Sequence, residues 1–575
     1  MSRSKYSYFL FFLGLSLTMH AQWQRGMLSS DLRVLPMMCD PADVRAKNKR
    51  SDISLMQGFP MNFAADPSFK NFRNVSLEDL DGLQGQEIVV GIGNKLVVLT
   101  AEGIMWSHML SGIVRFPPSI GDLDQDGILD IVVLTGYSQG PGFIYCFNAF
   151  GQSRAGWPKS VDGNTLVSAA ALADMDGNEQ LEILFGDISD GRGSLYVLRE
   201  DGTNFSGWPV LLPNVPAVTP SVGDLNSDGQ VEVVINTTRE MYLFSATGQL
   251  QRGWPVGNGL TKYSFQSPIL ADLTKNQQLE IIGAGHGDQP QFYVIDHEGI
   301  YLPNWPIPVP GQSWTFQPPT VVTYLDDLLI LTGRPIGTQP EDMLYAYKID
   351  GSLANGFPIV KPGGLEGLIT VGDIDGDEEP EMLFPSNLID AKGNGFIHAY
   401  EFDGSGELPN FPITVYGWTY LNGATLGDID GDDLLDMVVL SYTEHLDATP
   451  DTTFINVFEM NVPLHRSSLL WPTYKGNNLH NGVVDLTLST SDLYLQPGLL
   501  RIFPNPASTF LLVNSERDAL LRLYDLRGTL VNETAIRSGI PTNIEIDNLG
   551  TGIYHAVFRT DNQLSVSQKL VVIQD

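Results

Sequence analysis

An all-β architecture, a β-propeller of seven or eight blades followed by a small β-sandwich, is what this 575-residue sequence predicts, and three observations predict it. An acidic loop, Asp122-Leu-Asp124-Gln-Asp126-Gly127-Ile-Leu-Asp130, recurs about every 50 residues. Each copy runs into a β-branched apolar stretch, and no helical periodicity intervenes. An aromatic-Pro pair closes most units. Four short strands per repeat of this length indicate radially arranged blades.

The loops begin at Asp79, Asp122, Asp174, Asp224, Asp272, Asp373 and Asp428. The gap from 272 to 373 is double the others, and inside it residues 314–322 match residues 263–271, so a unit near 323 has lost its loop and the count is eight. The first unit is the least regular, which keeps seven open while eight is favoured. Within a unit the order is a short apolar strand, the loop, and a run such as Glu182-Ile-Leu-Phe185 or Asp436-Met-Val-Val-Leu440. A further strand, as in Leu195-Tyr-Val-Leu198, ends at a turn glycine such as Gly202 or Gly299. Next come Trp157-Pro158, Trp208-Pro209, Trp254-Pro255, Trp305-Pro306, Phe357-Pro358, Phe411-Pro412 and Trp471-Pro472. Proline suits the start of an outermost strand, where its missing donor faces solvent. One more pair, Phe59-Pro60, precedes the first loop, so a spare outer strand at 58–63 is expected to complete the last blade from the opposite end of the chain.

Aspartates at loop positions 1, 3 and 5 with an acid at 9 gather hard oxygens that suit Ca²⁺. Glycine at position 6 allows a sharp turn. Full ligand sets stand at Asp122/Asp124/Asp126/Asp130, Asp373/Asp375/Asp377/Glu381 and Asp428/Asp430/Asp432/Asp436. Two further sets, Asp174, Asp176, Asn178 and Glu182, and Asp224, Asn226, Asp228 and Glu232, each replace one acid by an amide. Low or no occupancy is expected at Asp272/Thr274/Asn276/Glu280 and at Asp79/Asp81/Leu83/Glu87. An EF-hand is rejected because position 12 is apolar, as at Val133 and Val439, and strands flank the loop. Asp and Gly also make plain turns, but five copies in phase favour structural calcium sites spread around the ring.

These residues resemble the FG-GAP or VCBS repeat family, the integrin-α-like propellers, over residues 56–484. The resemblance implies calcium loops between the first two strands of each blade. It leaves function open, because the family includes adhesins, ligand-binding ectodomains and polysaccharide lyases.

The two ends speak for export. Arg3 and Lys5, an apolar stretch from Tyr8 to Met19 and Ala21 read as a signal peptide over residues 1–21, followed by an N-terminal segment at 22–55. Residue 22 is Gln, so nothing points to lipid attachment, and no later stretch is long and apolar enough for a membrane span. A polar linker at 485–499 leads to a module at 500–575 with Phe503-Pro-Asn-Pro506, Tyr524-Asp-Leu-Arg-Gly528 and Gly552-Ile-Tyr554, strands and turns enough for a small sandwich. In this order at the terminus they resemble the type A sorting domain of the type IX secretion system of Bacteroidota. The resemblance implies passage through the periplasm, the type IX secretion machinery as a partner, and a secreted or outer-surface destination.

The composition excludes some partners. Thirty-three basic against 67 acidic residues give a formal charge of −34, which repels nucleic acid. Cys39 and Cys146 are too few for a disulfide scaffold, and Cys146 reads as a buried thiol. Metalloprotease, nucleophile-elbow and phosphate-loop motifs are missing from the sequence, and His286 alone sits in a polar glycine-rich loop. Trp157, Trp208 and Trp254 hold one phase and read as blade packing. Tyr263, Phe265, Trp314, Phe316, Trp418 and Tyr420 precede innermost strands and could form an aromatic rim for a sugar or a protein loop. The reading favoured is a calcium-stabilised binding or adhesion protein, without catalysis, that recognises glycan or protein through loops on one face. The alternative is a polysaccharide lyase on the same scaffold.

Overall fold

The computed structural model describes residues 37–38, 53–484 and 500–572, apart from 66–69, 84, 137–140, 162–165, 167, 190, 217, 264, 313–314, 326, 335–340, 420, 444–450, 504–506, 508, 516–518, 526–529, 539, 541, 547–548, 551 and 561–564. The signal peptide, Cys39, the linker, the Pro-Asn-Pro of residues 504–506, Trp314 and Tyr420 lie outside the described residues.

Eight antiparallel sheets follow one another, and each begins with a short innermost strand: Ser76–Glu78, Ser119–Gly121, Ala171–Ala173, Ser221–Gly223, Ile269–Ala271, Thr320–Tyr324, Thr370–Gly372 and Ala424–Gly427. These open blades 1 to 8 of a propeller. Blade 3 is representative. Ala171–Ala173 pairs with Glu182–Gly186, that strand with Gly193–Leu198, and that with Val210–Leu212. Blade 4 has three ladder strands and a single outer bridge from Met241 to Val256. The middle strands are buried on both faces because neighbouring blades cover them. Leu184 and Val197 of blade 3 share one cluster with Val233, Ile235 and Phe244 of blade 4.

Two repeated hydrogen bonds tie blade to blade. Trp157, Trp208, Trp254 and Trp305 donate their indole N–H groups to the carbonyls of Glu200, Ala246, His297 and Ile349 in the following blade, at 2.8–3.1 Å. Trp106 of blade 1, which has no proline beside it, does the same to Ala149. Nearer the axis, hydroxyls at or beside the start of the inner strands donate to the carbonyl just before the next one. The series runs Ser76 to Pro118, Ser119 to Ala170, Ser221 to Pro268, Thr320 to Ile369, Thr370 to Ala424 and Thr425 to Val75. The last of these closes the ring.

Closure also comes from the amino-terminal side. Blade 8 supplies Ala424–Gly427, Leu434–Tyr442 and Asp451–Pro463, and its outer edge is Met61–Ala65, antiparallel to 451–455, with Ser54–Leu55 pairing further along. The spare outer strand expected at 58–63 therefore does complete the last blade, displaced a few residues along the chain. Blade 6 has replaced the acidic loop by a two-residue turn, with Tyr324 opposite Asp327 and Leu325 at φ 53°.

One expectation is corrected. Trp471-Pro472 looks in sequence like another outer-strand element, yet Trp471 forms an antiparallel bridge with Val371 in the innermost strand of blade 7. From there the chain passes round the centre of the ring. The Pro472 carbonyl accepts from Leu426, Asn478 from Ile120, Leu479 from Leu172, Asn481 from Val222 and Gly482 from Leu270. Val483–Val484 then adds in parallel to Leu270–Ala271. Blade 8 already has its outer strand from the other end, so this segment is free to fill the middle instead. Small residues make room for it, since a Cβ on Gly121 would lie 2.8 Å from Leu479.

The terminal module is a two-sheet sandwich. One sheet joins Leu500–Phe503, Phe510–Ser515 and Thr542–Glu545; the other joins Leu530–Ile536, Ala519–Asp525, Gly552–Thr560 and Ser565–Val572. Leu511 and Val513 of the first share a buried core with Leu521, Leu523 and Ala556 of the second.

Candidate functional site

Each acidic loop connects the first and second strands of its blade and is built the same way from local hydrogen bonds. The position-1 carboxylate accepts amides of the residues that follow: Asp122 from Asp126 and Gly127, Asp373 from Gly376 and Glu378, Asp428 from Gly431, Asp432 and Asp433. The position-9 acid accepts the amide of position 2 in all seven loops, from Glu87 with Leu80 to Asp436 with Ile429. Position 5 accepts from position 7, as Asp126 does from Ile128 and Asp377 from Glu379. The loop shape thus follows from its own Asx-type bonds.

Positions 4 and 6 both take left-handed backbone, not position 6 alone. Gln125 and Gly127 lie at φ 60° and 81°, Gly376 and Glu378 at 83° and 74°, Gly431 and Asp433 at 74° and 62°. Glycine, which has no Cβ to clash there, occupies one of the two positions in each of these loops.

Among the described residues, four loops bring three carboxylates within 4.8 Å of one another: Asp79/Asp81/Glu87, Asp122/Asp124/Asp130, Asp373/Asp375/Glu381 and Asp428/Asp430/Asp436. The converging acids are those of positions 1, 3 and 9, so Asp126, Asp377 and Asp432 at position 5 stand outside these triads. Three of the four loops are the full sets seen in sequence. The Asp79 loop, set aside for its Leu83 at position 5, gathers as well.

The two amide-bearing loops, Asp174, Asp176, Asn178 and Glu182 of blade 3 and Asp224, Asn226, Asp228 and Glu232 of blade 4, differ from these four. In blade 3 the carboxylates of Asp174, Asp176 and Glu182 do not all come within 4.8 Å of one another. In blade 3, Asp176 and Asn178 are exposed, and the Asn178 side-chain oxygen accepts the Gln180 amide. In blade 4, Asn226 at position 3 leaves only two acids at the positions that converge elsewhere. Asn226 donates to Glu232 and accepts the Asp228 amide, while the exposed Asp228 accepts from Gln230. Both loops still keep the position-1 bonds, Asp174 with Glu179 and Asp224 with Gly229.

Electrostatics mark the position-9 acids. Burial, reinforced by neighbouring carboxylates, pushes Glu381 up to about 9 and Asp436 up to about 8. Burial also raises Glu87, Glu182 and Glu232 to about 7. Glu381 is fully buried; one oxygen takes the Ile374 amide and Oε1 has no hydrogen-bond partner. Such an oxygen beside two more carboxylates is a ready donor for a hard cation. The Asp122 loop differs, because Arg154 pairs with both Asp124 and Asp130.

The aromatic rim expected from sequence is rearranged. Tyr263 and Trp418 are fully buried, Tyr263 packed edge-on to Tyr293 and Trp418 beside Ile389, so neither ring can stack on a ligand. They precede inner strands, as read from sequence, but point into the blades. Phe265 and Phe316 are half-buried with centroids 5.5 Å apart, and Phe265 lies beside the buried His286.

Between these loops sits a residue that sequence reasoning missed. Arg73, buried in the connection from blade 8 to blade 1, donates to the carbonyls of Phe265, Phe316 and Glu366 from three other connections. The carboxylate of Glu366, itself bonded to Asn387, faces it as counter-charge. Burial pulls Arg73 down to about 10 and pushes Glu366 up to about 7. No local motif announces such a residue, since its partners lie up to 293 residues away. Below it the winding segment buries Tyr474, Lys475 and His480. The Tyr474 hydroxyl meets Ser267 and Thr219, Lys475 donates to the Pro220 carbonyl and Ser221, and His480 Nδ1 lies 3.0 Å from Ser119 Oγ.

Among the described residues a Ser–His–acid constellation stands in blade 7. His398 bridges Ser386 and Glu407, and Lys361 from blade 6 donates to the same Glu407. Ser386 is buried, and its hydroxyl faces the blade interior rather than a cleft. The cluster ties blade 6 to blade 7.

Comparison with protein-family models matches residues 122–185 to an FG-GAP-like repeat and residues 501–573 to a secretion system C-terminal sorting domain. The chain carries an FG-GAP-like repeat within its propeller and a secretion sorting tail. It is a secreted or outer-surface protein, and no helix among the described residues is long and apolar enough to cross a membrane. No curated protein matches the chain. Among solved structures, the V. cholerae biofilm matrix protein Bap1 is similar at 14% identity over 77% of this chain and 96% of that one, with a TM-score of 0.35. The C-terminal domain of Pseudomonas aeruginosa PilY1 is similar at 10% identity over 65% and 93%, also with a TM-score of 0.35.

Proposed function

We propose that this chain is a calcium-stabilised binding or adhesion propeller, delivered to the cell exterior by its sorting tail and recognising glycan or protein through the loops that connect one blade to the next. The observation that carries the reading is the closed centre of the ring. Arg73 and the segment 471–484 fill the place where a propeller enzyme would hold a substrate, which leaves the outer surface of the connecting loops for contact. On that face stand the half-buried pairs Phe265–Phe316 and Phe72–Phe116, each with centroids 5.5 Å apart, and the exposed Leu260 and Tyr416. Aromatic surfaces of this kind serve sugar stacking and protein contact alike.

Calcium fits the chemistry of the donors. Asp373, Asp375 and Glu381 in blade 7, and Asp428, Asp430 and Asp436 in blade 8, offer anionic oxygens around one point. A bound cation there would offset the burial and the neighbouring negative charge that together raise Glu381 and Asp436. It would stiffen the link between the first two strands.

A glycan array probed with the calcium-loaded secreted chain tests the binding reading. Specific retention that Phe265→Ala weakens at least tenfold, with the melting curve unchanged, is the expected result. Turnover of acidic polysaccharides to unsaturated products by the same preparation would overturn it.

A further inference from the structure

One of the three complete acidic loops in the sequence already holds a cation of the protein's own, Arg154. Arg154 stands three residues before the aromatic-Pro pair of blade 2. Its counterparts are Met56, Phe205, Gln251, Leu302, Ala354 and Leu408 in blades 8, 3, 4, 5, 6 and 7. All seven occupy one structural position, because each donates its amide to a third-strand carbonyl: Arg154 to Cys146, Phe205 to Val197, Gln251 to Leu243, Leu302 to Val294, Ala354 to Ala346, Leu408 to Ala399 and Met56 to Val457. None of the other six carries a charge. In blade 2 alone the position holds a guanidinium, and it reaches Asp124 through one nitrogen and Asp130 through the other.

Those are loop positions 3 and 9, two of the three carboxylates that a cation in this loop would need. The third, Asp122, already accepts the amides of Asp126 and Gly127. The Asp130 side chain is 1% exposed and that of Arg154 19%, so the pair is shielded from salt. A tethered guanidinium also acts at a far higher effective concentration than a free ion. A divalent ion entering would either displace Arg154 from both carboxylates or bring three positive charges together.

We infer that Arg154 is the resident cation of the blade 2 loop, which therefore takes no calcium although its four aspartates are complete. This rests on the reading of the other loops as calcium sites. Asp124 Oδ1 and Asp130 Oδ1 have no protein partner, so removing the guanidinium would leave a donor set ready for an ion.

The test is the calcium content of the full secreted chain after equilibrium dialysis, measured by elemental analysis and by titration calorimetry. Arg154→Gln, the residue blade 4 carries at this position, and Arg154→Leu, as in blades 5 and 7, should each gain one calcium per chain. Asp124→Asn should abolish that gain and leave the unsubstituted chain's content unchanged. If both Arg154 variants fold and gain none, or if Asp124→Asn alone removes a calcium from the unsubstituted chain, the inference is overturned. Asp375→Asn serves as the separate control. It should remove one calcium with Arg154 in place, and its failure to do so would count against calcium in blade 7 whatever the Arg154 variants show.

Discussion

The segment that winds through the ring can be removed cleanly. A chain ending at Leu486 lacks the sorting domain but keeps the segment, whereas one ending at Leu464 loses both. The second truncation strips six inner-strand amides, those of Ile120, Leu172, Val222, Leu270, Val371 and Leu426, of their acceptors. At a net of about 1 kcal/mol per hydrogen bond the loss is about 6 kcal/mol. Trp471 and Tyr474, 3% and 1% exposed, add about 2 kcal/mol each for lost burial. The total, about 10 kcal/mol, is comparable with the whole stability of a typical domain. For a ring of this size the unfolding entropy is roughly 0.9 kcal/mol/K, so the melting temperature should fall by about 10 °C. Differential scanning calorimetry of the two truncations gives the shift. Hydrogen exchange tests its cause, because those six amides should lose protection while the middle strands of the blades keep theirs. Melting temperatures within about 2 °C of each other, with the six amides still protected, would refute the reasoning.

Four further outcomes are expected. Arg73→Met should cost about 3–5 kcal/mol in urea unfolding, because it leaves the buried Glu366 without its counter-charge; the double variant with Glu366→Gln should recover part of that loss. Burial pushes His480 down to about 3, so the unfolded chain takes up a proton that the folded one refuses. That stability is intact above about pH 6.5 and is lost as pH falls toward 3, at about 1.4 kcal/mol per unit. Between pH 7 and pH 5 the unsubstituted chain should therefore lose about 2 kcal/mol relative to His480→Gln, and a constant difference would count against the burial argument. Chelation with EGTA should lower the melting temperature and Ca²⁺ restore it, by about 2.7 kcal/mol per site at a hundredfold excess over Kd. Deletion of residues 500–575 should leave the chain in the periplasm, which fractionation would detect.

Much of the molecule was legible because its repeat is local. The phase of the acidic loops located the innermost strands, the lost loop near residue 323 located blade 6, and the spare Phe59-Pro60 pointed to closure by the amino-terminal strand. Each depends on residues a few positions apart, where side-chain period and turn chemistry are read directly. The position-4 turn was less visible, since Gln125 and Lys275 adopt left-handed backbone without the glycine that would announce it. Ligand spacing also does not tell that the position-5 oxygen of a loop, as at Asp126, Asp377 and Asn178, accepts the amide of position 7.

What the sequence by itself determined is the ring, with eight blades favoured over seven, the acidic loops that mark its phase, and the exported destination. The tertiary structure alone decided what fills the ring and which loop is already neutralised. Trp471-Pro472 carries the same two residues as the outer-strand pairs but lies at the centre, because the outer edge of blade 8 is occupied by strand 61–65 from the far end of the chain. Arg73 and Arg154 are ordinary surface residues by composition. One fills the axis and the other pairs with an acidic loop, because the fold brings to them carboxylates and carbonyls from 24 to 293 residues away, and a guanidinium withdrawn from solvent is stable only where such acceptors converge.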